Sequence, residues 1–383
     1  MGPYGRAVPR VYNARVTGVD MFISVALTAV LAQAAGQAPP PAPKAPARAN
    51  AVEHIRVHGK ALEGNLEGDS PDRDVTIYLP PSYSSDRTRR YPVVYLLHGY
   101  SGRDDTFNGR LATLPDSADK LAGAGTAREM IVVMPNAFTL HKGSMYSNSV
   151  TTGDWETYVA RDLVAYVDGH YRTIPNRMSR GLAGHSMGGY GAVRIGMKRP
   201  DVFSSLYLMS SCCLNATLTF DPGRMAPAEA IKTREAAEEA GRGRGFGPSV
   251  NLAEGAAWSP NPNNPPLFLD LPVKDGLVQP DVVAKWAANA PLAMVGQYIP
   301  SLKMYSAIAM EVGTKDGLLK SNKELDEALT RFGVAHIYEE YEGDHTNKVF
   351  ERIEQNVLPF FSKHLSFDAR SSSTNHRPPT TNH

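Results

Sequence analysis

The sequence predicts an α/β fold, in which a mostly parallel central sheet carries helices on both faces. Apolar runs of strand length alternate along the chain with segments of helical periodicity, which is typical of βαβ units. The runs 91–97 and 130–134 are continuously apolar, as strands covered on both faces are. A third run, 180–183, passes through a Gly-His-Ser-Met-Gly turn directly into a helical segment.

The individual elements follow from local pattern and from residues that end strands and helices. The run 74–79 alternates apolar with polar residues, which predicts a half-buried antiparallel strand at the sheet edge, and Pro80 and Pro81 end it. Asp154 is the expected N-cap of the first helix, and Pro200 ends the second. The predicted strands lie at 54–62, 74–79, 91–97, 130–134, 180–183, 202–209, 302–312 and 335–341. The predicted helices lie at 155–167, 190–199, 226–240, 281–288, 323–332 and 347–364.

Composition divides the chain into a folded domain and flanking segments. Residues 39–51 are rich in Pro and Ala and predict a semi-rigid linker, whereas 368–383 are rich in Ser, Thr, Asn and Pro and predict a disordered tail. The domain itself is predicted to span 52–367. Within it, 214–300 breaks the alternation of strands and helices. A segment of this length between two sheet strands predicts a functional insertion, here a cap over the site.

Residues 1–38 have the order of a secretory signal. Arginines precede the apolar run 21–31, and the small residues Ala32-Gln33-Ala34 follow it as a cleavage site would. The run is too short to span a bilayer as a helix. The sequence therefore predicts a secreted or periplasmic protein. The alternative is an unstructured or wrongly assigned extension, with Met21 as the true start.

Charge and cysteine content exclude several classes of function. The formal net charge is +1, so no global charge favours nucleic acid or an anionic surface. Cys212 and Cys213 are the two cysteines, and neighbouring cysteines bridge poorly. They form no disulfide framework and no metal-ligand spacing. We expect neither a metal nor an organic cofactor.

The turn at Gly184–Gly188 matches the pattern of a nucleophile elbow, G-x-S-x-G, between a strand and a helix. In such an elbow Ser186 points out of the sheet on a tight turn. Gly184 and Gly188, two residues before and after it, carry no Cβ that would clash there. The following helix directs its N-terminal dipole and free N–H groups at the reaction centre.

A serine nucleophile needs a base and an acid that orients the base. In one class of serine-triad enzymes the chain order is nucleophile, acid, histidine. His345 lies in a turn between the last predicted strand and the final helix, and is the predicted base. Asp316 lies just past the preceding strand and is the predicted acid. Glu311 is a rival acid inside that strand, and Asp344 is interpreted as a turn residue.

The developing negative charge on a substrate oxygen needs two backbone N–H donors. Met187, the residue after the serine, is predicted to supply one from the start of its helix. The loop after the strand 91–97 is predicted to supply the other from Tyr100, where Gly99 permits the backbone to approach.

These motifs together resemble the putative-esterase group of α/β-hydrolases. That group includes S-formylglutathione hydrolase (esterase D), the feruloyl and acetyl-xylan esterases of carbohydrate esterase family 1, and the mycobacterial mycolyltransferases. The resemblance covers roughly residues 75–365 apart from the insertion. It implies an α/β-hydrolase fold and the site roles assigned above. The motifs that carry it lie at 95–102, 184–191, 313–316 and 341–345.

The segment 145–156 also resembles secreted members of the group, which implies a position near the rim of the site. Gly99, His185, Trp155 and Asn148 are the candidates for substrate contacts. For Trp155 the competing interpretation is packing at the start of a helix, since Trp is usually buried.

The expected function is hydrolysis of feruloyl or acetyl sugar esters, or of small acyl esters, through a covalent acyl-enzyme. No stable membrane insertion is expected, and the oligomeric state is not predicted. Alternatives on the same triad are a thioesterase of the S-formylglutathione hydrolase type, an acyltransferase and a peptidase. A different class would be a catalytically silent binding protein on this scaffold, and the presence of Ser186, Asp316 and His345 argues against it.

Overall fold

An eight-stranded sheet forms the centre of the computed structural model, which describes residues 51–109, 111, 113–242 and 247–368. The order across the sheet is β1-β2-β4-β3-β5-β6-β7-β8. β2 pairs antiparallel with β1 and with β4, and all other pairs are parallel. The strands are β1 (Ala51–His58), β2 (Asp72–Leu79), β3 (Val93–Leu97), β4 (Ile131–Pro135), β5 (Arg180–His185), β6 (Ser205–Met209), β7 (Ala307–Gly313) and β8 (Ile337–Tyr341). The predicted α/β class with a mostly parallel sheet is confirmed.

Helices cover both faces of this sheet. In chain order they are α1 (Leu114–Gly123), α2 (the consecutive segments Trp155–Thr157, Tyr158–Asp162 and Leu163–His170), α3 (Met187–Lys198), α4 (Pro222–Glu229), α5 (Arg234–Arg242), α6 (Gly247–Trp258), α7 (Pro280–Ala288), α8 (Leu319–Arg331) and α9 (the consecutive segments Val349–Arg352, Ile353–Val357 and Leu358–His364). Short helical turns at Pro291–Met294, Val295–Tyr298 and Ile299–Leu302 lead back to β7. None of the helices in the described ranges is both long and apolar enough to cross a membrane.

Successive side chains of β3 enter two different parts of the core. Tyr95 and Leu97 pack in one apolar cluster together with residues of α2, α3 and α8, whereas Val94 and Leu96 pack in another with residues of α1 and α9. This alternation is the two-residue period of a strand. Because both faces are covered, the strand is apolar at every position, as the sequence indicated.

β2 differs from the predicted edge strand. It lies inside the sheet between β1 and β4, and from Val75 to Leu79 every residue is buried. The polar residues of the alternation are buried with hydrogen-bond partners: the Thr76 hydroxyl donates to Asp104 at 2.7 Å, and the Tyr78 hydroxyl donates to Asp119 at 2.6 Å. The alternating pattern therefore predicted polar residues facing solvent, whereas in the structure they are buried and bond to half-buried carboxylates.

The insertion 214–300 forms α4 to α7 and a small hairpin, Val273–Lys274 with Leu277–Val278. It packs against α3, where the rings of Trp258 and Tyr190 lie 5.6 Å apart. It also accepts a hydrogen bond from the Ser149 hydroxyl to the Ala256 carbonyl at 2.5 Å. Its role as a cap stays a prediction. The predicted export segment 1–38, the linker 39–51 except Ala51, and the tail 368–383 except Asp368 lie outside the described residues.

Candidate active site

Ser186 stands on a strained turn between β5 and α3. Its φ of 59° and ψ of −117° put a residue other than glycine in the left-handed half of conformational space. The turn is held by backbone hydrogen bonds: Ser186 N–H donates to the Met209 carbonyl at 2.9 Å, and the Ser186 carbonyl accepts from Tyr190 N–H at 3.0 Å. Such strain persists only where the surrounding structure over-determines it, and it is concentrated at functional sites.

Two glycines make this turn possible. A Cβ on Gly184 would overlap the backbone of Gly188, and a Cβ on Gly188 would overlap the carbonyl of Leu97 on the neighbouring strand β3. In both cases the obstructing atoms are backbone, so no side chain can move aside. The G-x-S-x-G spacing is therefore a requirement of close backbone packing at Ser186.

A chain of hydrogen bonds joins Ser186 to the two other residues predicted to act with it. The Ser186 hydroxyl lies 2.9 Å from Nε2 of His345, and Nδ1 of His345 lies 2.8 Å from Asp316 Oδ2. Asp316 follows β7 and His345 follows β8. Because β5, β7 and β8 are parallel, their carboxyl ends meet at one edge of the sheet, where α/β folds bind their ligands.

The charge of Asp316 fixes the direction of this chain. Burial raises the pKa of Asp316, but the hydrogen bonds from His345 and from the Leu318 N–H outweigh it, so the net pKa is below its usual value. An ionised Asp316 can only accept, so Nδ1 of His345 carries the proton. Nε2 of His345 then presents its lone pair to the Ser186 hydroxyl and can take up the hydroxyl proton.

The rival acids are engaged elsewhere. Glu311 is buried and accepts hydrogen bonds from Arg352 at 2.7 Å and from the Tyr207 hydroxyl at 2.5 Å. Asp344 accepts from the N–H groups of Thr346 and Asn347 and shapes the turn next to His345.

His185 ties the elbow to the turn that carries His345. Its Nε2 lies 2.8 Å from the His345 carbonyl, and burial lowers its pKa to about 4. Above that pH the ring is neutral, and its single proton must be on Nε2 to donate to the carbonyl. His185 also lines the cavity at Ser186, so it is placed both to hold His345 and to face a substrate.

A cavity of about 300 Å³ opens over Ser186. Gly99 stands close to the serine, since a Cβ on it would lie 3.2 Å from the Ser186 Cβ. Tyr100 lines the same cavity. Met187 is the first residue of α3, so its N–H has no acceptor within the helix. Besides Gly99, Tyr100, His185, Ser186 and His345, the lining consists of Ser101, Gly102, Thr106, Leu111 and Thr346.

The loop of Gly99 and Tyr100 is held by His98 and Tyr146, two residues to which the sequence alone assigned no role. Nε2 of His98 accepts the Ala137 N–H at 2.8 Å, so its other nitrogen carries the proton and donates to the Gly99 carbonyl at 2.7 Å. The Tyr146 hydroxyl donates to the His98 carbonyl at 3.1 Å. The available signal for His98 was its position directly before Gly99, and for Tyr146 it was only the resemblance of the segment 145–156.

One predicted substrate contact needs correction, and another stays a prediction. Trp155 is 1% exposed and donates its indole N–H to the Thr152 carbonyl, so it packs at the start of α2 and has no surface for a substrate. Asn148 is exposed on a short hairpin, where its N–H donates to Glu156, and it is not among the residues that line the cavity over Ser186.

Within the described ranges, no cluster of three or more His, Cys, Asp or Glu side chains is arranged to hold a metal ion. Cys212 and Cys213 are free thiols.

We predict that Gly188→Ala lowers the free energy of unfolding by about 3 kcal/mol, because the added methyl group meets the Leu97 carbonyl and overpacks the turn. Gly169→Ala is the matched control, since no atom lies within 4 Å of a Cβ there, and it should leave stability unchanged or raise it by up to about 1 kcal/mol. Urea unfolding measures both. Equal stability of the two variants would contradict the proposed packing.

Comparison with known proteins places these observations in a family. Residues 70–353 match the model of the putative esterase family. An esterase of Mycobacterium tuberculosis is 35% identical over 135 residues, which are 34% of this chain and 27% of that protein. S-formylglutathione hydrolase of Bos taurus is 26% identical over 155 residues, which are 36% of this chain and 51% of the relative. An endo-1,4-beta-xylanase/feruloyl esterase of Xylanibacter ruminicola is 27% identical over 160 residues, 40% of this chain and 22% of the relative.

Solved structures share the fold over most of the chain. A ferulic acid esterase aligns with a TM-score of 0.58 and 24% identity, over 82% of this chain and 99% of the other. An S-formylglutathione hydrolase from Staphylococcus aureus aligns with a TM-score of 0.55 and 18% identity, over 82% and 100%. The predicted α/β-hydrolase fold is confirmed. The aligned parts of the curated relatives amount to 22–51% of their lengths, whereas the family model spans residues 70–353 here. On that match, the chain belongs to the putative esterase family.

Proposed function

We propose that this protein is a serine carboxylic-ester hydrolase in which Ser186 is the nucleophile, His345 the general base and Asp316 the orienting acid. The observation that carries the proposal is the hydrogen-bond chain from the Ser186 hydroxyl through His345 to Asp316, at 2.9 and 2.8 Å. It starts on a strained turn that opens into a cavity of about 300 Å³, near the lower limit for small-molecule sites.

Acylation uses each part of this arrangement. His345 Nε2 accepts the proton of Ser186 as the serine oxygen bonds to the ester carbonyl carbon. The carbonyl oxygen becomes negative, and the N–H groups of Met187 and Tyr100 donate to it. His345, now cationic, is stabilised by ionised Asp316. It then gives its proton to the leaving alcohol as the carbon–oxygen bond breaks, which leaves the acyl group on Ser186.

Deacylation repeats these steps with water. His345 removes a proton from the water molecule as its oxygen attacks the acyl carbon. The second tetrahedral intermediate collapses, the proton returns to the Ser186 oxygen and the carboxylic acid leaves.

The proposed substrates are feruloyl or acetyl esters of sugars, or small acyl esters. Support comes from relatives whose names include feruloyl esterase and S-formylglutathione hydrolase. The latter acts on a thioester, which the same triad can cleave, since a thiol is a better leaving group than an alcohol. A panel of methyl ferulate, acetylated xylan, S-formylglutathione and short p-nitrophenyl esters separates these substrates.

Ser186→Ala is expected to reduce kcat on p-nitrophenyl acetate by about 10⁴- to 10⁶-fold, because no nucleophile remains to form the acyl-enzyme. Some catalysis over water should survive from the oxyanion donors and from binding. A fluorophosphonate probe should label the wild type and the control Ser84→Ala, which removes an exposed hydroxyl. It should not label Ser186→Ala. Full activity in Ser186→Ala would reject the proposed function.

His185→Phe is expected to lower kcat by about 10- to 100-fold, because the His345 carbonyl loses its donor and the imidazole is misplaced. His185→Gln is the matched variant, since its side-chain amide can donate to the same carbonyl and should restore most of kcat. Unfolding free energies of both variants show whether stability accounts for the loss. Equal kcat values in the two variants would exclude the positioning role.

We further propose that the protein is exported, because residues 1–38 contain a charged part, an apolar run and small residues in the order of a secretory signal. Expression in a bacterial host with an export pathway should give a mature chain that begins within 35–39. N-terminal sequencing of the periplasmic fraction measures this, with a variant that lacks residues 1–20 to test Met21 as the start. An intact N-terminus in the cytosol would contradict export.

A further inference from the structure

A second cavity, of about 590 Å³, lies beside the loop that carries Gly99 and Tyr100. We call it the basic groove. Six cationic side chains line it against four anionic ones, Asp69, Asp72, Asp74 and Glu238. The cationic residues are Arg56, Arg73, Arg103, Lys142, Arg234 and Arg242.

Several of these cations already have partners. Arg56 pairs with Asp74 at 3.1 Å, and Arg234 pairs with Glu238 at 3.7 Å. Arg73 is buried and donates to backbone carbonyls, among them that of Asn136 at 3.2 Å. Arg242 pairs with a glutamate of its own helix at 3.1 Å. Three of these cations are therefore paired with carboxylates of the protein, and the fourth, Arg73, has its hydrogen-bond donors engaged by backbone carbonyls.

Arg103 and Lys142 remain. Within the described ranges neither side chain has a carboxylate within 4.0 Å. The Arg103 guanidinium lies over the ring of Phe138, 3.7 Å from its centroid, which fixes its plane beside the groove. Burial is the main reason that the pKa of Arg73 is lowered, and the positive charge of Arg103 acts in the same direction. The positive charges of Arg103 and Lys142 are therefore not neutralised by a carboxylate of the protein, and a carboxylate of a ligand could pair with them.

The groove and the cavity over Ser186 are lined in part by neighbouring residues of one loop. Gly102 lines the cavity and the next residue, Arg103, lines the groove, and consecutive Cα atoms are about 3.8 Å apart. Ser101, which also lines the cavity, donates its N–H to the Lys142 carbonyl at 3.0 Å. A substrate larger than the cavity would have to pass Ser101 and Gly102 to reach both cations.

We propose that the basic groove binds a carboxylate on the alcohol or thiol part of the ester, with Arg103 and Lys142 as its partners; this rests on the proposed ester hydrolase function. The preferred substrates are then esters of acidic molecules rather than of neutral ones. Two sources share this chemistry, a uronic acid within a carbohydrate and the carboxylates of a glutathione thioester.

The test compares matched substrates that differ only in the carboxylate. One pair is an acetylated xylo-oligosaccharide with a glucuronic acid branch, and the same compound with that carboxyl reduced to the alcohol. The other is S-formylglutathione and its bis-amide, in which both carboxylates are replaced by neutral carboxamides. In at least one pair the kcat/KM of the anionic member should be about fivefold higher than that of the neutral member, and high salt should remove the difference. The pair that responds identifies the source.

Arg103→Gln and Lys142→Gln should reduce that preference towards unity while kcat/KM on p-nitrophenyl acetate stays unchanged. Arg331→Gln is a matched control, since it also removes an arginine next to a phenylalanine, and Lys320→Gln removes an exposed lysine; neither lines the groove. Absence of a preference in the wild type, or a preference that survives both groove variants, would overturn the proposal. If the wild type hydrolyses neither neutral nor anionic esters, the proposed function itself is rejected.

Discussion

The contact between the backbone of Gly188 and the carbonyl of Leu97 is the constraint on which the site depends. It lets α3 begin directly against β3, and it leaves Ser186 in a left-handed conformation that would otherwise be unfavourable. The hydrogen bond from Ser186 to Met209 fixes the same turn to β6. Three neighbouring strands therefore hold one serine, and the position of its hydroxyl follows from the sheet rather than from a mobile loop.

The remaining partners reach Ser186 because the strands are parallel. His345 is 159 residues from Ser186 and 29 from Asp316 along the chain, yet the turns after β7 and β8 open at the same edge of the sheet as the elbow. The turn that carries His345 would not by itself fix the position of the imidazole. His185, the residue before the serine, donates a hydrogen bond to the His345 carbonyl and so holds that turn in place. The proposed nucleophile and base are thus linked through the backbone as well as through their side chains.

The residues that line the cavity over Ser186 are different from those that line the basic groove. The cavity is lined by the loops next to Ser186 and His345, whereas the insertion packs against α3 and the hairpin near Ser149. The buried network of His98 and Tyr146 keeps the loop of Tyr100 in place on one side. Beyond that loop lies the basic groove. On the proposed roles, variation in the groove or in the insertion would change the substrate without moving the proposed catalytic groups.

The sequence by itself determined the approximate positions of the sheet strands and of the helices α2, α3, α8 and α9, the elbow at Gly184–Gly188 and the chain order of Ser186, Asp316 and His345. These features are local, because they depend on side-chain period, on glycine at a tight turn and on the ends of strands. The helices α1 and α6 were not predicted. Only the tertiary structure decided that β2 lies inside the sheet, that Trp155 is buried and that His185 holds His345. Each of these depends on which distant segment packs against the residue, and the pattern of neighbouring residues along the chain does not identify that segment.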